Sequence, residues 1–110
     1  MSNLDTAILM AVKAHKDQKD KSGEPYILHP IRVMMKMKTE EEKIAAILHD
    51  TIEDSDLSVG DLQKAGFSND IIEAVKLLTR DEAIPYDDYI TGIETNKLAL
   101  KIKIADLEDN

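Results

Sequence analysis

Apolar residues return every three to four positions along almost the whole chain, and no stretch of strand length alternates apolar with polar. That period belongs to helices with one buried face, whereas a half-buried strand needs a period of two. The spacing therefore predicts an all-α fold, a single helical bundle of about six helices. Leu4, Ala7, Ile8, Ala11, Val12 and Ala14 set a first helix from about residue 4 to 18, with His15 at the edge of its buried face. Gly23 and Pro25 then break the period, and Pro30 suits the first turn of a helix through Ile31, Val33, Met34 and Met37. His29 is left at a loop-to-helix junction. Glu40 to Ile52 forms a third helix, its acidic start suited to a positive helix N-terminus. Ser58 and Asp61 make a capping-box pattern for a short helix through Leu62 that stops at Gly66, and Asn69 caps another carrying Ile71, Ile72, Val75 and Leu78. TRDEAIPYDD reads as the clearest loop. A helix around Tyr89 to Ile93 and a last one from about Lys97 to Leu107 complete the chain.

A length of 110 residues suits one core and one site. Cysteine is absent, so any metal must be held by imidazole nitrogen and carboxylate oxygen. No apolar run reaches the ~20 residues of a membrane span, and the N-terminus has no signal-peptide pattern, which together read as a cytoplasmic protein that does not enter a membrane. With 22 acidic against 14 basic residues, the net charge of −8 repels a nucleic-acid backbone and argues against a polymer-binding module. A small anion remains a suitable partner, because a divalent ion and one or two lysines can reverse the potential inside a pocket.

The segment ILHDTIED places four ligand-type side chains in six residues at the end of an otherwise apolar helix. On a helix His49 shares a face with Glu53 and Asp50 with Asp54, so His49 and Asp50 can lean towards one ion with the other two carboxylates a turn beyond. An isolated acidic pair at a helix end ordinarily faces water. Here His49 and Asp50 directly follow Ala45, Ala46, Ile47 and Leu48, where an unpaired charge would be costly. His29 and Asp106 remain as completing ligands, but local spacing brings neither to Asp50.

Four ordered strings resemble a known family: AVKAHKDQKDKSGEPYILHP, AAILHDTIED, LTRDEAIPYDDYI and KIKIADLEDN. They are similar to the HD-domain hydrolases, and within them to the RelA/SpoT-type (p)ppGpp hydrolases and small stand-alone relatives. The resemblance implies that residues 1–110 form an HD-type phosphohydrolase domain in which His29, His49, Asp50 and Asp106 hold one divalent ion, usually Mn²⁺. It implies that Glu53 and Asp54 orient and activate the attacking water, and that Lys21, Ser22 and Asn110 contact a small nucleotide substrate. The implied reaction is hydrolysis of a phosphate ester or of a 3′-pyrophosphate such as that of (p)ppGpp.

Three departures from the family pattern stand out. Asp20 occupies the place of an Arg that packs on guanine, and Leu107 and Asp109 replace an Arg and a His in the last motif. Relatives also continue past the position of Asn110 through further helical sequence, so the expected domain lacks those helices. Two readings follow: a hydrolase with its six core positions intact, or a catalytically weak regulatory module that binds metal and nucleotide. For other polar residues the expectation is plainer. His15 packs or supports a ligand, Tyr26 anchors its loop by its ring, Arg32 either steers phosphate or faces water, and Lys101 and Lys103 reach outward from the last helix.

Overall fold

Helix α3 (Glu40–Leu48) runs through the centre of the computed structural model, which describes residues 3–109. Thr39 starts it with a closed capping box, its hydroxyl accepting from the Glu42 amide while the Glu42 carboxylate accepts from the Thr39 amide. Every residue from Ile44 to Leu48 is buried, so the second half of this helix is apolar all round and has to be enclosed. Helices α1 (Leu4–Ala14), α2 (Leu28–Met35), α6 (Asn69–Leu78) and α8 (Lys97–Asp109) enclose it. Around that centre, α7 (Tyr86–Glu94) packs on α6 and α8, α5 (Val59–Lys64) on α6, and the single turn α4 (Thr51–Asp54) on α1. The fold is all-α. Among the described residues eight helices stand where about six were expected, and the only extended pairing is one bridge between Lys19 and Pro25.

Several boundaries differ from the expected ones, each for a local reason. The first helix ends at Ala14 rather than near residue 18, because His15 turns its Nδ1 to Gln18 Oε1 at 3.0 Å and Asp17 takes a left-handed conformation, φ 67°. Helix α2 begins at Leu28, which puts His29 and Pro30 in its first turn, where a missing amide donor costs nothing. Ser68, not Asn69, caps α6, its hydroxyl accepting from the Ile71 amide. The DD of the expected loop is the first turn of α7, where acid opposes the positive helix end. The expected helix from Glu40 to Ile52 is broken after Leu48.

That break positions the site. His49 Nδ1 donates to the Ala46 carbonyl at 2.6 Å, and Thr51 Oγ1 donates to the Leu48 carbonyl at 2.7 Å. Both side chains take acceptors that the continuing helix would have used, and the chain re-aims at His49 and Asp50 before α4 resumes. On α8 the buried positions Ala99, Ile102 and Ala105 run on into Asp106 and Asp109 in the last turns. The C-terminal ends of α3 and α8 thus meet the first turn of α2, and negative helix ends favour a cation there.

Candidate metal centre

His29, His49, Asp50 and Asp106 meet at this junction, each offering one ligand atom, and the four atoms lie within 4.8 Å of one another. His49 Nε2 is 3.2 Å from Asp50 Oδ2 and 3.3 Å from Asp106 Oδ1. His29 Nε2 is 2.7 Å from Asp106 Oδ1 and 3.6 Å from Asp50 Oδ2. Ligands about 2.1 Å from a common ion are separated by about 3.0 to 3.5 Å in tetrahedral or octahedral arrangements, so small adjustments close this set on one cation. Both histidines are buried, His49 at 2% and His29 at 8% exposure.

Both imidazoles are also oriented. The Nδ1 of His49 is taken by the Ala46 carbonyl and that of His29 by Asp109 Oδ2 at 2.7 Å, which leaves both Nε2 atoms facing the carboxylates. Acceptors of this kind behind a metal histidine set its tautomer and raise its basicity. Asp109 is itself held by Arg32, whose Nε donates to Oδ1 at 2.8 Å. Tyr26 does more than anchor a loop by its ring, since its hydroxyl donates to Asp50 Oδ2 at 2.7 Å. Lys103 does not reach outward; its Nζ lies 3.2 Å from Asp106 Oδ2, whereas Lys101 pairs with Glu42 at 2.9 Å. His15 packs behind Tyr26, with ring centroids 5.0 Å apart.

Charge couples these groups tightly. The hydrogen bond to Asp106 raises the His29 imidazole above its ordinary pKa, and the bond to Asp109 adds to it against burial. Burial opposes the charged form of His49, but hydrogen bonds to Asp106 and Asp50 outweigh it and raise the pKa to about 10. Burial also opposes ionisation of Asp106, yet its bonds to His29 and His49 hold it well below the usual carboxylate range. The two carboxylates thus favour positive charge between them, which a cation would supply, and the donor set of two imidazoles and two carboxylates suits a borderline divalent ion.

The other expected residues flank this centre. Glu53 lines a cavity of about 290 Å³ floored by the four ligands, and its carboxylate accepts the Arg80 amide at 2.6 Å. Asp54 lines a neighbouring cavity, with Lys13 and Gln18 on its wall. Burial, then the charges of Asp50 and Glu53, raise the Asp54 carboxyl. Lys21 and Ser22 line a third cavity, of about 700 Å³, which reaches His29, Arg32 and Asp109. Asp20 lines the same cavity, and its Oδ1 accepts the amides of Ser22 at 2.8 Å and Glu24 at 3.0 Å. Asn110 lies outside the described residues. Asp109, Arg32 and Tyr26 were legible in part, since each lies three residues from a ligand. Arg80 carried no local signal.

No family model matches the chain. Known proteins do. A guanosine-3′,5′-bis(diphosphate) 3′-pyrophosphohydrolase of Aquifex aeolicus is 31% identical over 119 residues, a match that spans 97% of this chain and 17% of that protein. The bifunctional (p)ppGpp synthase/hydrolase SpoT of Escherichia coli is 35% identical over 92 residues, spanning 80% of this chain and 13% of SpoT. The guanosine-3′,5′-bis(diphosphate) 3′-pyrophosphohydrolase MESH1 of Danio rerio is 35% identical over 98 residues, spanning 77% of this chain and 54% of MESH1. The chain thus spans under a fifth of these bacterial relatives and about half of the Danio rerio protein. A solved structure of a metazoan orthologue of SpoT, described as hydrolysing ppGpp, matches with a TM-score of 0.83 at 28% identity, covering 100% of this chain and 68% of that one.

Proposed function

We propose, since this chain belongs to the HD-type hydrolases related to SpoT, that residues 1–110 act as one metal-dependent phosphohydrolase domain on a small nucleotide, with the 3′-pyrophosphate of (p)ppGpp as the leading substrate. One observation carries this reading: four ligand atoms from three separate helical segments converge within 4.8 Å. His29, His49, Asp50 and Asp106 would hold the ion, and Mn²⁺ is the ion that the family resemblance implies. When bound, such a cation acts as a Lewis acid on phosphoryl oxygen and lowers the pKa of water.

The chain's own groups supply the rest. Asp54, with its raised pKa, and Glu53, on the wall of the cavity, are the candidates to orient the attacking water and accept its proton. The water oxygen bonds to phosphorus, the bond from phosphorus to the sugar oxygen breaks, and a proton ends on that oxygen. Lys21 and Ser22 line a cavity wide enough for a nucleoside, and Asn110 joins them by resemblance alone. An acidic exterior disfavours a nucleic-acid polymer and leaves a free nucleotide of the cytoplasmic pool as the partner.

The test is a release assay for phosphate and pyrophosphate over a panel of nucleotides that includes ppGpp, with and without added Mn²⁺. Metal-dependent release from a 3′-pyrophosphorylated nucleotide is the expected result. Binding of these nucleotides without release of either product would replace the hydrolase with the regulatory module.

A further inference from the structure

Arg80 stands apart from the other cations near the centre. In a chain with 22 acidic residues it forms no ion pair among the described residues, and its Nε is buried without an acceptor. A buried donor left unmet is costly, and a native structure ordinarily supplies it with a partner. The guanidinium lies 5.2 Å from the centroid of Tyr86 and 5.5 Å from that of Tyr89, on the wall of the 290 Å³ cavity. Lys103 Nζ lies 5.7 Å from the same Tyr89 ring, and the Tyr89 hydroxyl is tied to the Leu78 carbonyl at 2.9 Å. One fixed ring therefore carries two cations beside a cavity floored by the metal ligands. Lys103 is balanced by Asp106, but Arg80 has no carboxylate of its own among the described residues and its buried Nε calls for an acceptor.

Cavity size says which part of a substrate enters. At about 290 Å³ the space is at the low end of small-molecule sites, while the cavity beyond His29 that carries Lys21 and Ser22 measures about 700 Å³. Tyr26 and His29 line both. Of the rings in the smaller cavity, Tyr86 and Tyr89 carry the cations Arg80 and Lys103.

We propose that Arg80 and Lys103, mounted on Tyr86 and Tyr89, form an anion subsite for the phosphoryl or pyrophosphoryl group that is cut from the nucleotide, while the nucleoside occupies the larger cavity. This rests on the hydrolase reading for its substrate, but not for its measurement. The guanidinium fork suits a phosphate bidentately and the ammonium adds a point charge. With a divalent ion in place, these two cations turn the balance against Glu53, Asp50 and Asp106 positive, so the departing anion is held where it forms.

The experiment is calorimetric titration of the Mn²⁺-loaded chain with inorganic pyrophosphate, inorganic phosphate and, separately, guanosine. Arg80→Gln and Lys103→Gln should each weaken pyrophosphate binding about tenfold or more, the scale of one lost charge-assisted hydrogen bond, and leave guanosine binding within about twofold. Arg80→Lys keeps the charge without the fork and should lose severalfold, which carries the test if Arg80→Gln does not fold. Pyrophosphate affinity unchanged in these variants overturns the subsite, as does guanosine competing with pyrophosphate for it. Arg80-dependent pyrophosphate binding in a chain that releases nothing from any nucleotide supports the subsite and removes the hydrolase reading, so the two failures are distinct.

Discussion

Asp109 Oδ2 lies 2.7 Å from His29 Nδ1, and Arg32 holds the other oxygen of the same carboxylate. The relationship commits the Nδ1 proton of His29 outward and leaves Nε2 for the ligand cluster. Asp109→Asn should weaken Mn²⁺ affinity by about tenfold or more, the usual cost of losing a carboxylate behind a metal histidine. The melting temperature in chelator should change little by comparison. Titration with Mn²⁺ checks this; unchanged affinity would mean that packing against Tyr26 and His49 orients the ring unaided.

Metal binding should release protons. Burial opposes the charged form of His49, but Asp106 and Asp50 raise it to about 10, so it holds at neutral pH a proton that a cation must displace, and hydrogen bonding to Asp106 raises His29 in the same direction. Affinity for Mn²⁺ should rise with pH from neutrality upward. For the chelated protein the sign is opposite, because the stability from a raised histidine is complete below the unfolded value of about 6.5 and is lost as pH climbs through the folded one. Titrations at pH 7 in two buffers of different ionisation heat should show about one or more protons released per ion. Zero release contradicts the coupling.

Glu53→Gln and Asp54→Asn keep size while removing a basic oxygen. Each should leave metal content near wild type and lower turnover by about 10² or more if the group serves proton transfer. Glu53→Gln also keeps an acceptor for the Arg80 amide, so the neighbouring loop stays in place. Metal analysis beside kinetics checks both. A variant that loses its ion together with activity identifies a ligand, and full activity in both returns the pair to a solvated helix end.

Asp20 stands where the family pattern has an Arg that packs on guanine, and its carboxylate organises the loop that carries Lys21 and Ser22. Asp20→Arg and Asp20→Ala should therefore weaken nucleotide binding, whereas Asp20→Asn, which keeps the accepting oxygen, should bind within a few-fold of wild type. Tighter binding by Asp20→Arg would show that the loop tolerates loss of these bonds.

Much of this architecture was legible because it is local. Ser58 and Asp61 form the capping box that their spacing announces, and His49 and Asp50 sit at the edge of the buried run that precedes them. The break after Leu48 was not legible, since apolar spacing continues through it and only the side-chain bonds of His49 and Thr51 to backbone carbonyls cause it. Nor were the contacts of Arg80 with Tyr86 and Tyr89, or of His29 with Asp106 and Asp109, which depend on how α7 and α8 return to the bundle. For Asp106 the family resemblance supplied what periodicity lacked.

The most direct test of a single cation centre is titration of the chelated chain with Mn²⁺, read as bound ion per chain. Four ligands converging on one point predict a stoichiometry of about one, lost in both His49→Ala and Asp106→Ala. Wild-type protein that takes up no ion, or variants that take up as much as wild type, would contradict the account.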